Sequence, residues 1–230
     1  GVIDLIGEQF ISFSGEHGEK IQASPIPDTD RERAKTYREE LLDRIASEDD
    51  DITEKYLNGE RLSAAEVKKS VRKLTIAGVI NPVLCGSALK NKGVQLVLDA
   101  VVDYLPSPLD RGAVAGIDPK TDKEIMRSPS DTDPFSALAF KIASDPFVGS
   151  LAFFRVYSGT LSKGSYVLNS TKGEKERISR ILRMHANQRE EIKEIYAGEI
   201  GAAVGLKYTT TGDTLSDENA PIILEKIVFP

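Results

Sequence analysis

The hydrophobic period of this chain changes once, and a stretch with no period separates the two regimes. Up to residue 105 the apolar residues follow helical spacing, most clearly at Val94, Val97, Leu98, Val101, Val102 and Leu105, before Pro106 and Pro108 stop the pattern. From Phe135 onward short apolar runs alternate with turn signals such as Ser158-Gly159, Lys163-Gly164, Lys172-Gly173, Ala197-Gly198 and Thr211-Gly212-Asp213. Residues 111–134, rich in Pro, Gly, Asp and Ser, read as a linker. With 230 residues, 40% of them hydrophobic, the chain can bury two modest cores, one over 1–110 and one over 135–230.

The first half reads as α+β. Val2 to Ile6 and Gln9 to Phe13 flank Gly7 as a small hairpin, followed by a loop and Pro25-Ile-Pro27. A helix is expected after Asp28-Thr29-Asp30, with Ala34, Tyr37, Leu41, Leu42 and Ile45 on one stripe and charge opposite. A short helical piece spans Thr53 to Leu57 and closes at Asn58-Gly59. Ser63-Ala-Ala-Glu66 is a capping box, and Val67, Val71, Leu74 and Ala77 face inward on the helix it opens. Val79 to Leu84 reads as a buried strand, with Cys85 packed at its end, leading through a Gly/Ser loop into the Val94 helix.

In the second half the expected strands are Phe135 to Ile142, Leu151 to Tyr157, Ser165 to Leu168, Glu176 to His185, Ile200 to Leu206 and Ile222 to Val228. Many short strands without a helical pattern predict a barrel or sandwich.

Charge is divided unevenly. The whole chain is at −6, but residues 1–60 hold 7 Lys/Arg against 16 Asp/Glu, a net of −9, while residues 151–190 hold 8 against 3, a net of +5. One end repels nucleic acid and the other attracts it. Arg177, Arg180, Arg183 and Arg189, with Lys172, Lys175 and His185, lie on or beside one hairpin and are expected on one exposed face, where they would bind phosphate without base specificity. Two His and one Cys give no metal-ligand spacing and no nucleophile-base pair, so neither a metal nor a catalytic residue is expected. No apolar run approaches a membrane span, and one Cys argues against a disulfide framework.

Pro82-Val-Leu-Cys-Gly-Ser-Ala-Leu-Lys-Asn-Lys-Gly93 places Ser87-Ala88-Leu89 in a turn that opens a helix. There the tripeptide resembles the guanine-contacting loop of translational GTPases, specifically bacterial elongation factor G. Asp145-Pro-Phe-Val-Gly149, Arg155-Val-Tyr-Ser-Gly-Thr-Leu-Ser-Lys-Gly-Ser-Tyr-Val-Leu-Asn169, Tyr196-Ala-Gly-Glu-Ile-Gly-Ala-Ala-Val-Gly-Leu206 and Thr210-Thr-Gly-Asp-Thr-Leu215 extend the resemblance over nearly the whole chain.

The resemblance implies an internal fragment: a truncated α/β GTPase-domain remainder with its α+β insert, followed by an all-β Greek-key translation-factor barrel. The parent would hydrolyse GTP, with Mg²⁺, to drive ribosomal translocation; the alternatives are a part of a ribosome-protection or recycling factor built from the same domains, or a fragment with residual GTP binding. The family's other guanine-nucleotide boxes are missing. No G-x-x-x-x-G-K-[ST] loop is present, and Asn91-Lys-Gly-Val94 puts Val94 where the guanine-specific box needs Asp. Ser87, Ala88 and Leu89 would therefore form an incomplete guanine site, and the chain is expected to hold neither GTP nor GDP and to be non-catalytic. The implied partners are small-subunit ribosomal RNA, through the barrel and its basic segment, and the large-subunit stalk protein, through the acidic insert. The implied location is the cytoplasm, with neither membrane nor DNA as a partner.

Overall fold

The computed structural model describes residues 1–145, 149–185 and 188–224. The chain divides into two compact units, Gly1–Pro106 and Ser107–Pro230.

The first unit opens with strands β1 (Val2–Asp4), β2 (Gln9–Ser14) and β3 (Lys20–Ser24), antiparallel in that order. The sequence reading has the first two and leaves β3 as loop. That strand is exposed along almost its whole length, so it carries no apolar alternation, and only its ladder from Phe10↔Ser24 to Ser14↔Lys20 makes it a strand.

Helices α1 (Asp28–Ala46), α2 (Asp50–Leu57) and α3 (Ala64–Ile76) follow. Asp49 caps α2 and is 3% exposed, and its Oδ1 accepts a 2.6 Å bond from Lys73 Nζ on α3. The capping box is present: Ser63 Oγ accepts from the Glu66 amide at 3.3 Å, and Glu66 Oε2 accepts from the Ser63 amide at 2.9 Å. Ile45, Ile52, Leu62, Val67, Val71 and Leu74 close one core, which α4 (Val94–Tyr104) joins through Ala100 and Tyr104. Tyr37 does not join the α1 stripe and stands half-exposed.

Two expectations fail here. Val79 to Leu84 forms no strand, and Cys85 is exposed rather than packed. A buried strand needs ladder partners on both edges, and among the described residues none pairs with this segment. Val83 is consequently 88% exposed, and Val97, Leu98, Val101, Val102 and Leu105 leave an open apolar stripe along α4.

The second unit begins with the helical turn α5 (Pro108–Arg111), then β4 (Val114–Ile117) and β5 (Glu124–Arg127). The segment 111–134, expected as a linker, thus holds a hairpin. Ile125 and Val114 pack on Leu138, Ile222 and Leu224, so its four-residue strands draw stability from tertiary contact rather than from visible periodicity.

The barrel strands are β6 (Ser136–Asp145), β7 (Gly149–Ser158), β8 (Leu161–Ser162), β9 (Tyr166–Asn169), β10 (Glu174–Arg177), β11 (Arg180–His185), β12 (Gln188–Ile192), β13 (Glu194–Ile195), β14 (Ile200–Val204), β15 (Thr214–Ser216) and β16 (Ile223–Leu224). Eight of them make an antiparallel sheet in the order β10-β9-β15-β6-β7-β14-β11-β12, while β8 pairs β13 and β16 pairs β4. The expected strand Glu176 to His185 is two strands. Ile178 and Ser179 break it, and the sheet's far edges meet there: Ile178 N donates to Ser165 O at 3.0 Å and Ser179 N to Val204 O at 2.9 Å. The sheet curls around Phe154, Val156, Val167, Ile178, Ile181, Ile195 and Leu215, all fully buried. The architecture is thus α+β, a small helical unit followed by an antiparallel β-barrel. Of the expected strand Ile222 to Val228, residues 225–228 lie outside the described residues, as do residues 146–148 of the Asp145 to Gly149 motif.

Candidate functional site

Three places carry the residues singled out by sequence. The first is the turn Ser87-Ala88-Leu89, a 3-10 turn (Ala88–Lys90) entered from Ser87. Ser87 and Lys92 exchange backbone bonds of 2.8 and 3.0 Å, which pinches the loop and needs Gly93 at φ +85° to enter α4. The amides of Ala88 and Leu89 donate no hydrogen bond within the described residues, and Leu89 is 96% exposed. Two backbone amides without a partner suit the carbonyl edge of a base, and among the described residues no G-x-x-x-x-G-K-[ST] loop stands beside them to cradle phosphate.

The second place is the basic segment, whose cations do not share one face. Arg180 and Arg183, three residues apart on β11, point to opposite faces. The expectation of a single cationic face is thereby corrected. Arg183 Nη2 pairs with Glu199 at 3.0 Å, and its Nη1 lies 3.9 Å from Glu190. Arg189 stands opposite Met184 in the β11–β12 ladder, beside the Arg183↔Glu190 pair. His185 Nε2 lies 3.5 Å from Glu190.

Lys172 is not a surface cation waiting for a ligand. Its ammonium donates to Tyr208 O at 2.6 Å and Thr210 Oγ1 at 2.8 Å and lies 2.9 Å from Asp213 Oδ2. Asn169 Nδ2 and the Thr210 amide also donate to Asp213, at 3.0 and 2.8 Å. Burial pushes the Asp213 carboxyl upward, but the bonds from Asn169 and Thr210 and the charge of Lys172 outweigh it and hold the pKa below the ordinary aspartate value. Glu176, 4% exposed, accepts from the amides of Lys207 and Tyr208 at 2.5 and 2.9 Å and from Thr209 Oγ1. This network staples the β14–β15 loop to the barrel end. Sequence reasoning missed its roles: Asp213 read only as part of a turn, Glu176 only as the start of a strand, and Asn169 only as the end of a matching stretch.

What remains of the basic segment is a compact group on the β9–β10 hairpin. Arg177 stands directly across from Tyr166 in the ladder, with its guanidinium carbon 6.0 Å from the ring centroid. Lys175 Nζ is 5.4 Å from the same ring and is paired with Glu218, an ion pair at least half exposed on both sides. Tyr166 is 62% exposed, so an aromatic side chain open to solvent stands beside two cations. The only sequence sign of Tyr166 was an aromatic residue next to the core residue Val167.

The third place is the acidic helix α1. Arg31–Asp28, Arg33–Asp30 and Arg44–Glu48 pair at 2.6, 2.9 and 3.1 Å along its exposed face. These pairs neutralise part of the charge that composition assigns to it.

Among the described residues no cluster of His, Cys, Asp or Glu could hold a metal ion, and no helix is long and apolar enough to cross a membrane. The family model described as Elongation factor G domain 2 matches residues 134–218. A crystal structure of a protein from Thermus thermophilus superposes on the whole chain with a TM-score of 0.75 at 23% sequence identity, and the chain spans 32% of that protein's length. Residues 134–218 therefore form a domain like domain 2 of elongation factor G, and the superposition shows that the chain shares the fold of the matching third of the Thermus protein.

Proposed function

We propose that this chain is a ribosome-docking part of a cytoplasmic translational GTPase of the elongation factor G type, itself without nucleotide chemistry. The observation that carries the reading is Tyr166 flanked by Lys175 and Arg177 on the outer wall of a barrel of that family. An exposed ring between two cations suits an unstacked base next to a phosphate, and small-subunit ribosomal RNA is the partner of that chemistry. Lys172 supports the surface indirectly by fixing the β14–β15 loop. The acidic helix α1 would serve a weak, steered encounter with the stalk protein of the large subunit. GTP or GDP and Mg²⁺ belong, in this reading, to a longer parent, where Ser87, Ala88 and Leu89 would supply only the base-contacting edge.

The test is a salt titration of the chain against isolated small subunits, with labelled GTP as a parallel ligand. Salt-sensitive binding, lost in Arg177→Glu and Lys175→Glu, supports the reading. Affinity that is unchanged in both variants at low salt removes the hairpin from it, and GTP binding would show a nucleotide site.

A further inference from the structure

A cavity of about 350 Å³ opens in the second unit, with Val114, Pro129 and Tyr157 and two arginines, Arg111 and Arg155, among its lining residues. That size suits a small organic ligand rather than a single ion. Among the described residues neither arginine has a carboxylate within ion-pair distance. Two acids lie close by, and both are engaged: Asp110, next to Arg111 in sequence, accepts from the amide and hydroxyl of Ser107, at 2.7 and 2.6 Å, and Glu199, next to the lining residue Gly198, accepts from Arg183 and the Tyr196 amide, each at 3.0 Å.

Arg155 has a further peculiarity. Its Nε is buried and has no hydrogen-bond partner, although a buried N–H without an acceptor is costly. Its guanidinium carbon lies 5.3 Å from the centroid of Tyr157, which holds the group against one wall. The opposite rim is rigid for a different reason. Gly198, at φ +89°, comes so close to Pro108 that a Cβ there would meet Pro108 Cγ at 2.7 Å.

We propose that this cavity binds a small organic anion, a phosphate or carboxylate head on an apolar or aromatic body. The head would lie between Arg111 and Arg155, where two planar forks match two oxygens, and the body would rest on Val114, Pro129 and Tyr157. The barrel thereby has a ligand site separate from its outer hairpin.

Calorimetric titration of the whole chain with phenyl phosphate, benzoate and inorganic phosphate tests this. Saturable binding of phenyl phosphate or benzoate below about 10 mM, tighter than that of inorganic phosphate and weakened at least about tenfold by Arg155→Lys and by Arg111→Gln, is the expected result. The tighter of the two organic probes identifies the head group. No saturable binding to the wild-type chain, or binding unchanged in both variants, overturns the proposal. Arg111 lies on an exposed turn, so Arg111→Gln keeps the test valid should Arg155→Lys fail to fold.

Discussion

Lys172 Nζ lies 2.9 Å from Asp213 Oδ2, joining the β9–β10 turn to the end of the β14–β15 loop, with the aspartate 6% exposed and the lysine 33%. A lysine that sequence marks as an RNA contact is thus engaged inside the fold. Lys172→Met should lower barrel stability by about 1–3 kcal/mol, because a nearly buried carboxylate loses its cation and two loop oxygens lose their donor. Pairing it with Asp213→Asn should recover part of the loss. Urea unfolding of the single and double variants measures the coupling, and additive losses would show that the pair does not interact.

Two of the depressed aspartates, Asp49 and Asp213, set an acid limb for each unit. Asp213 is held low against its burial by Asn169, Thr210 and Lys172, and Asp49 is held low against its burial by Lys73. A carboxyl whose folded pKa lies below its unfolded value adds stability that is fully present above the unfolded value of about 3.9 and disappears as pH falls through the folded one. Unfolding midpoints should therefore drop below pH 4. In Asp213→Asn the drop should shrink in the barrel but persist in the helical unit, read by unit-resolved hydrogen exchange.

Ser63→Ala should cost about 1 kcal/mol, the usual worth of an N-cap, by leaving the Glu66 amide without its acceptor and breaking the capping box. Glu66 is held down to about 2, first by the bond from Lys55 and then by those from Ser63. The contribution of Glu66 should therefore persist from neutral pH to below its usual value near 4.5 and fade as pH falls toward 2. Amide exchange across α3 at pH 7 and pH 3 checks both statements.

Tyr166→Ala should weaken binding to small ribosomal subunits by about 1–3 kcal/mol, the value of one base stacked on an aromatic ring. It should leave the salt slope nearly intact. Arg177→Glu should do the reverse, reducing the slope by about 1 or more. Fluorescence anisotropy over a salt series separates the two, and identical behaviour would mean that the ring and the cation do not share a ligand.

The α1 to α4 helices, the Ser63 cap, the hairpin turns and most barrel strands were legible in the sequence. Each rests on local rules: period 3.6, period 2, a hydroxyl three residues before a glutamate, glycine at a turn. Strand β3 and the β4–β5 hairpin were not legible, because their short, exposed strands are held by pairing and packing partners distant in sequence. The Val79 to Leu84 run failed for the converse reason, since an apolar segment becomes a strand only when another strand completes its hydrogen bonds.

At the candidate site the division is the same. Composition and motif marked a two-part chain with a basic segment over residues 151–190, and the family resemblance led to the expectation of an incomplete guanine loop. Tertiary structure alone decided which cations are engaged by Asp213, Glu199 and Glu190 and which stand beside Tyr166. A sequence records that a charge exists, but its freedom to bind a partner depends on the carboxylates that folding brings within a few ångströms of it.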